Sequence, residues 1–259
     1  MLFTIVTVCY NAADVLEGTI LSVLNQSYRD FEYIIIDGGS TDGCVDVIKK
    51  YVGRLAYWVS ERDGGIYDAM NKGIQHANGK YINFMNAGDC FFNEDILTMV
   101  SEQIVGRPAV VFGDTAIVRN GVKYKLKTNP FYEYESFPYE MGFCHQSTFV
   151  RTDIAKQKKF DLGFKLAADY NMIVSIYREG GEFQRLHDLI IANFDLSGAS
   201  DNRRRQHIAE ALMIAHPNRQ FYNRFLLNCI MLKLTLKRVV WSIVPSDVYA
   251  RMMGKRQVM

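Results

Sequence analysis

No Cys-x-x-Cys spacing occurs in the 259 residues, and the five cysteines, Cys9, Cys44, Cys90, Cys144 and Cys229, are an odd number. Several lie inside apolar runs, so the pattern speaks for reduced, buried thiols and a cytosolic protein. No Gly-x-Gly-x-x-Gly follows the first strand pattern, and Gly-x-x-x-x-Gly-Lys-Ser/Thr is absent. Dinucleotide and P-loop readings lose their main support. The formal net charge is only +2, too small to argue for a nucleic-acid partner. Met1 to Val6 runs directly into a strand pattern without a basic n-region, so no secretory signal is expected. The most apolar stretch, Phe225 to Pro245, is interrupted by Lys233, Lys237 and Arg238, and is a poor bilayer span.

With 49% hydrophobic and 22% charged residues, the chain has the composition of an ordinary globular protein. Its length suits one large domain, residues 1–215, plus a helical extension, residues 216–259. Phe3 to Cys9 reads as a strand, followed by a helix with Leu16, Ile20, Leu21 and Leu24 at helical spacing, opened by Asp14 and Glu17 in a capping-box arrangement. Phe31 to Ile36 repeats the layout, ending in Asp37-Gly38-Gly39-Ser40-Thr41-Asp42-Gly43 before a second helix. Tyr57 to Ser60, then a helix through Ala69 and Met70, repeats it again and leads to a strand at Tyr81 to Met85. This alternation implies a parallel sheet with helices on both faces.

The fourth strand delivers Asn86-Ala87-Gly88-Asp89, with a carboxylate beside two small residues at a C-terminal strand edge. Ligands bind at that edge in open α/β sheets, and a lone carboxylate there suits a divalent cation shared with a phosphorylated ligand. A polar loop after a core strand would look the same.

Beyond a helix at Asp95 to Ile104 the pattern turns to strands: Ala109 to Asp114, then Thr115 to Arg119 and Val122 to Lys127 around Asn120-Gly121, the strongest short hairpin signal. Asn129 to Met141 has no clean period and reads as a loop over the site. Phe143 to Val150 reads as a strand containing His145, Thr152 to Lys158 as a short helix, and Leu166 to Tyr177 as a helix with Asp169 in its first turn. A first-turn carboxylate ordinarily serves the helix dipole. Two short strands are expected between Phe183 and Phe194, then a helix to about His216 that begins with Arg203-Arg204-Arg205. Three consecutive arginines are usually a solvated face, yet at a diphosphate site they would screen a leaving group. Phe225 to Pro245 has the pattern of a basic amphipathic helix lying on an anionic membrane surface, and equally that of a helix packed on the domain or on a second subunit.

In series, Val6-Thr7-Val8-Cys9-Tyr10-Asn11-Ala12, Thr19 to Tyr28, Ile36 to Gly43, Asp68-Ala69-Met70-Asn71-Lys72-Gly73, Asn86 to Asp89 and Ala168-Asp169-Tyr170 resemble a family 2 glycosyltransferase of the GT-A fold over about the first 200 residues. The string is similar to bacterial enzymes that build capsule, exopolysaccharide and O-antigen units. The resemblance implies a Rossmann-like, mostly parallel central sheet with helices on both faces. It implies transfer, with inversion and without processivity, from a nucleotide-sugar, expected to be a UDP-sugar, to a saccharide or lipid-linked acceptor. By the same resemblance Val8 and Tyr10 line the nucleotide base with Asp37 at its polar edge, Asn86, Ala87 and Gly88 pass beneath the ribose and diphosphate, and Gly38, Asn71 and Lys72 also belong to the nucleotide site. Asp89 holds Mn²⁺ or Mg²⁺, and Asp169 is the base. Asp68, His145, Arg203 and Arg204 are further candidates.

This chain departs from the family pattern in several places. Ala87 stands where a second metal-motif acid is common, Gly38 where a second acid often reads the base, and Met70 where Arg is common. No Gln-x-x-Arg-Trp occurs, which argues against a processive synthase. The implied location is the cytoplasm, with peripheral attachment to the inner face of the plasma membrane, and a homo-oligomer is left open. The rival reading is a catalytically silent GT-A module that binds nucleotide or a partner glycosyltransferase. Such a module would not need Asp89 and Asp169 together.

Overall fold

A computed structural model describes residues 1–119, 122–126, 128, 141–195 and 203–243. The first half is β1 (Phe3–Cys9), α1 (Ala13–Leu24), β2 (Phe31–Asp37), α2 (Cys44–Lys49), β3 (Tyr57–Ser60), α3 (Ile66–His76) and β4 (Tyr81–Phe84). β1 is buried along its whole length between β2 and β4, which is why its sequence is nearly continuously apolar. Alternate side chains of the strands enter different cores. Val6, Val8, Ile34 and Ile36 pack with Met70 and Ile74 of α3, and Ile5, Tyr33 and Ile35 with Leu16, Ile20 and Val23 of α1.

The second half adds β5 (Cys90–Phe91), α4 (Ile96–Gln103), β6 (Val110–Arg119), β7 (Val122–Leu126), β8 (Thr148–Arg151), α5 (Thr152–Lys158), α6 (Ala168–Arg178), β9 (Phe183–Asp195), α7 (Arg204–Ala215) and α8 (Gln220–Ile243). Among the described residues one nine-stranded sheet runs β3-β2-β1-β4-β8-β6-β9-β5, with β7 paired to β6. The strands β3, β2, β1 and β4 are parallel, as the alternation requires. β8 enters antiparallel between β4 and β6, and carries the preceding turn to the end of β4.

Several local expectations are corrected. The two strands expected between Ala109 and Arg119 are the single β6, Val110–Arg119, which continues past a register shift against β9. The two short strands expected after Phe183 are likewise the single β9, with an irregularity at Asp188, whose φ is 56°. Of Phe143 to Val150 only the end is strand, since His145–Ser147 form a tight 3₁₀ turn. The Asp14 and Glu17 box does not form: Asp42 accepts the Ala13 amide at 2.9 Å from across the loop, and Glu17 pairs with Lys50 and Tyr51. Cys9 and Cys44 are buried, but Cys229 is exposed on α8. Arg119 stands opposite Val122 in an antiparallel pair, as the hairpin signal requires. Its turn, Asn120-Gly121, lies outside the described residues, as does the expected loop from Asn129 as far as residue 140.

Candidate active site

Thr19 of α1, wholly buried, pins the turn that follows β4. Its hydroxyl accepts the Gly88 amide at 3.0 Å and donates to the Asp89 carbonyl at 2.8 Å, while the Ala87 amide donates to the Val8 carbonyl at 3.1 Å. Gly88 has φ 97°, a conformation that costs a residue with a Cβ far more than glycine. The turn therefore holds Asp89 in one place, and Gln146 Nε2 donates to its Oδ2 at 3.0 Å. Asp89 is 92% buried, its exposure being 8%.

Gln146 has a neighbour, His145, that reaches the other way. Its Nδ1 lies 3.4 Å from Asp169 Oδ2. Its Nε2 lies 3.1 Å from Asn86 Nδ2, so a single 3₁₀ turn joins the Asn86–Asp89 floor to Asp169. Tyr67 Oη donates to Asp169 Oδ1 at 3.0 Å. With the Asn86 amide donating to Nε2, Nδ1 carries the proton that faces Asp169. Asn86 Oδ1 is buried without a partner among the described residues, and turning the amide over would offer it to a protonated Nε2.

Burial works against the ionised form of Asp169. The His145 hydrogen bond and charge, the Tyr170 amide and the charge of His207 outweigh it, and the carboxyl stays below its ordinary range. Burial also opposes charge on His145, yet Asp169 and then Asp89 raise its pKa above the ordinary histidine value. Asp169 is thus a carboxylate kept ionised in a largely enclosed setting. In the first turn of α6 its Oδ1 also accepts the Tyr170 amide at 2.9 Å. Glu210 of α7 holds the approach to that helix, its Oε2 accepting the amides of Lys165, Leu166 and Ala167 at 3.0, 2.8 and 3.1 Å.

The other expected residues divide. Tyr10 is exposed at the end of β1, while Val8 points into the core and meets the site only through its carbonyl. Asp37 is wholly buried and heavily occupied: the amides of Gly39 and Ser40 donate to it at 3.1 and 2.9 Å, and the hydroxyls of Ser40 and Ser60 at 2.5 and 2.6 Å. The Cys9 thiol completes the set at 3.4 Å. Asn71 clamps the loop before α6, donating to the Phe160 carbonyl at 2.9 Å and accepting its amide at 2.8 Å. Lys72 is paired with Glu61 at 2.7 Å, and Asp68 accepts the Gly64 amide at 2.9 Å. Arg203 and Arg204 are exposed at the start of α7, one turn from His207.

Tyr67, Gln146 and Glu210 were not singled out in the sequence. Gln146 adjoins a candidate histidine, a usable signal. Glu210 lies 41 positions beyond Asp169 (210 − 169), with no local signal at all.

Cys9, Asp37 and Cys44 are the one described trio of potential ligand side chains within reach of one another. They do not fit a hard cation: Asp37 is occupied by donors, and burial followed by the Asp37 charge pushes the Cys9 thiol far above its usual range. Asp89 does fit, as a single fixed carboxylate of the kind that holds Mg²⁺ or Mn²⁺ together with substrate phosphates.

The model of the family described as glycosyl transferase family 2 matches residues 4–161, which contain β1 from its second residue, β2 to β8 and the Asn86–Asp89 turn. The chain belongs to glycosyl transferase family 2. An uncharacterized glycosyltransferase of Mycobacterium tuberculosis is 35% identical over 177 residues, 66% of this chain and 67% of its own. A PGL/p-HBAD biosynthesis glycosyltransferase of Mycobacterium bovis is 25% identical over 207 residues, 78% of this chain and 79% of its own. Among solved structures, S. aureus TarS 1-349 in complex with UDP-GlcNAc has TM-score 0.60 at 17% identity, covering 88% of this chain and 70% of that 1-349 chain. Mannosyltransferase PcManGT from Pyrobaculum calidifontis, in complex with GDP-Man and Mn²⁺, has TM-score 0.67 at 16% identity, covering 97% and 78%. At such identities the likeness is one of fold, and it gives this family 2 chain a GT-A architecture.

Proposed function

We propose that this chain is an inverting, non-processive glycosyltransferase that moves a sugar from a nucleotide-sugar to a hydroxyl of a saccharide or lipid-linked acceptor in cell-surface glycan assembly. The observation that carries the reading is the pair of fixed carboxylates: Asp169, kept ionised by His145, and Asp89 on the turn after β4, the two joined through the His145–Ser147 turn. Asp169 takes the proton of the acceptor hydroxyl as its oxygen bonds to the anomeric carbon. The bond from that carbon to the diphosphate oxygen breaks with its electron pair leaving on the diphosphate, and one displacement inverts the centre. Tyr67 and His145 fix the carboxylate's direction. Asp89 would hold a Mn²⁺ or Mg²⁺ ion, whose positive charge compensates the departing diphosphate. Arg203 and Arg204, at the N-terminal end of α7, add cationic charge on the same side as His207.

A UDP-sugar donor is supported by the complexes of TarS with UDP and UDP-GlcNAc, and a biosynthetic role by the name of the Mycobacterium bovis relative, a PGL/p-HBAD biosynthesis glycosyltransferase. We further propose that the chain from residue 216 onward, of which α8 is described, is an appended segment that holds the enzyme at the cytoplasmic face of the membrane. No helix among the described residues is long and apolar enough to cross a membrane.

Asp169→Asn should lower kcat by about 10³-fold while nucleotide affinity changes little, because a base acts only in the transition state. Normal turnover by this variant would exclude Asp169 as the base. Asp89→Ala should weaken nucleotide binding with Mn²⁺ present, and equal calorimetric affinity of the unaltered enzyme with and without Mn²⁺ would remove the metal role.

A further inference from the structure

The surface beside Tyr10 and Gly38 receives an acid from outside the loop after β2. Asp37 is turned inward onto Gly39, Ser40, Ser60 and Cys9, and five donors already surround its two oxygens. It is poorly placed to read a base. The next position, Gly38, has no side chain, yet the space is filled. A Cβ built there would lie 2.6 Å from Asp63 Oδ2, 3.3 Å from Asp63 Cγ and 3.3 Å from Tyr10 Cδ2. Asp63 reaches in from the loop between β3 and α3, and its carboxylate occupies the place that a side chain at position 38 would take, against the exposed Tyr10 ring.

The carboxylate is also oriented. Its Oδ1 accepts the Gly65 amide at 2.8 Å, which leaves Oδ2 as the oxygen directed toward Gly38 and Tyr10. A half-buried acceptor next to an exposed aromatic face is the pairing that a planar heterocycle with one ring N–H would satisfy, stacking on the ring and donating to the oxygen.

We propose that Asp63 determines base specificity, its Oδ2 accepting the ring N–H of uracil or guanine while the base lies along Tyr10. This rests on the reading of the pocket as a nucleotide-sugar site. Uracil N3 and guanine N1 each carry a hydrogen at neutral pH. The corresponding ring nitrogens of cytosine and adenine carry a lone pair, which faces the lone pairs of the carboxylate. Gly38 is required by this arrangement, because any side chain there would displace the acid.

The test is calorimetric binding of UDP, GDP, CDP and ADP, with Mn²⁺, to the full chain and to Asp63→Asn, Asp63→Ala and Gly38→Ala. Asn keeps the acceptor for Gly65 and changes the inward atom from acceptor to donor. The unaltered protein should prefer UDP or GDP over CDP and ADP by about 10- to 100-fold, the range of one hydrogen bond to a charged group. Whichever of UDP and GDP binds more tightly identifies the base. Asp63→Asn should bring its affinity and that of CDP to within about threefold, on the scale of a lost charge-assisted bond. Gly38→Ala should reproduce the loss with Asp63 still present, with melting temperatures confirming that each variant is folded. An unchanged preference in folded Asp63→Asn, or a preference of the unaltered protein for CDP or ADP, overturns the assignment to Asp63 and leaves the nucleotide site standing. Failure of the unaltered protein to bind any of the four overturns the nucleotide-sugar reading itself.

Discussion

His145 stands between two groups that make opposite demands on it. Asp169 favours the protonated ring, and the Asn86 amide, as placed, favours a bare Nε2. The consequence is a pH dependence whose sign can be worked out. Burial disfavours the charged form of Asp169, and His145 is the main group that opposes it. Removing the ring leaves burial in control, so the pKa of the base rises. In His145→Ala the acid limb of the kcat/KM profile should move to higher pH by about one unit, the scale of one lost charged hydrogen bond. A profile that keeps its acid limb while kcat alone falls would reduce His145 to a packing role. The conservative His145→Gln retains a donor toward Asp169 and should recover part of the shift.

At the scale of elements, α6 is aimed by α7. Glu210 gathers the three amides that lead into α6, and Arg178 Nη2 at the other end donates to the carbonyls of Ile214 and Ala215 at 2.9 and 3.2 Å. The two helices are tied at both ends, which fixes where Asp169 points. Glu210→Ala removes the shared acceptor of the three amides that precede α6 and should cost about 1.5–3 kcal/mol, the range of a lost hydrogen bond to a charged group. It should also lower kcat more than it raises KM for the donor, because it disturbs the base rather than the nucleotide pocket. A drop in melting temperature with unchanged kcat would confine Glu210 to stability. The strand-to-helix alternation of the first half was legible because apolar periodicity is local. The Glu210 tie was not, since its partners are joined only by the packing of α7 on α6.

For the molecule as a whole, α8 carries two apolar faces. Leu226, Ile230 and Leu234 lie against Ile208 and Leu212 of α7, so the expectation of packing on the domain holds for that side. On another side Phe221, Phe225, Leu232 and Leu236 follow helical spacing and are 88%, 63%, 62% and 57% exposed. Arg224 and Lys233 are exposed on the same helix, which matches an anionic lipid surface. Changing Phe225, Leu232 and Leu236 together to Gln should abolish cosedimentation with vesicles containing anionic lipid and leave the melting temperature within about 2 °C, as surface changes of this kind have small effects on stability. Unchanged cosedimentation would remove the membrane role, and a change in sedimentation mass instead would mark the stripe as a contact between copies of the chain.

The sequence by itself determined the parallel half of the sheet, the family, and the two acids that close its strongest motifs, Asp89 and Asp169. Each of these depends on residues close together in the chain: a buried strand, small residues at its end, a carboxylate in a first helical turn. Tertiary structure decided what each acid can do. Asp37, which the family resemblance placed by the base, is enclosed by Ser40, Ser60 and Cys9, and Asp63 reaches the space beside Gly38 from 25 positions further on (63 − 38). Asn71 holds the Phe160 loop rather than standing as a free amide. Asp169 is kept ionised by His145, and Glu210 holds the segment that leads into its helix. Sequence pattern records which groups are present at a strand end. Which of their hydrogen bonds are already spent within the protein depends on neighbours that only the folded chain brings within reach.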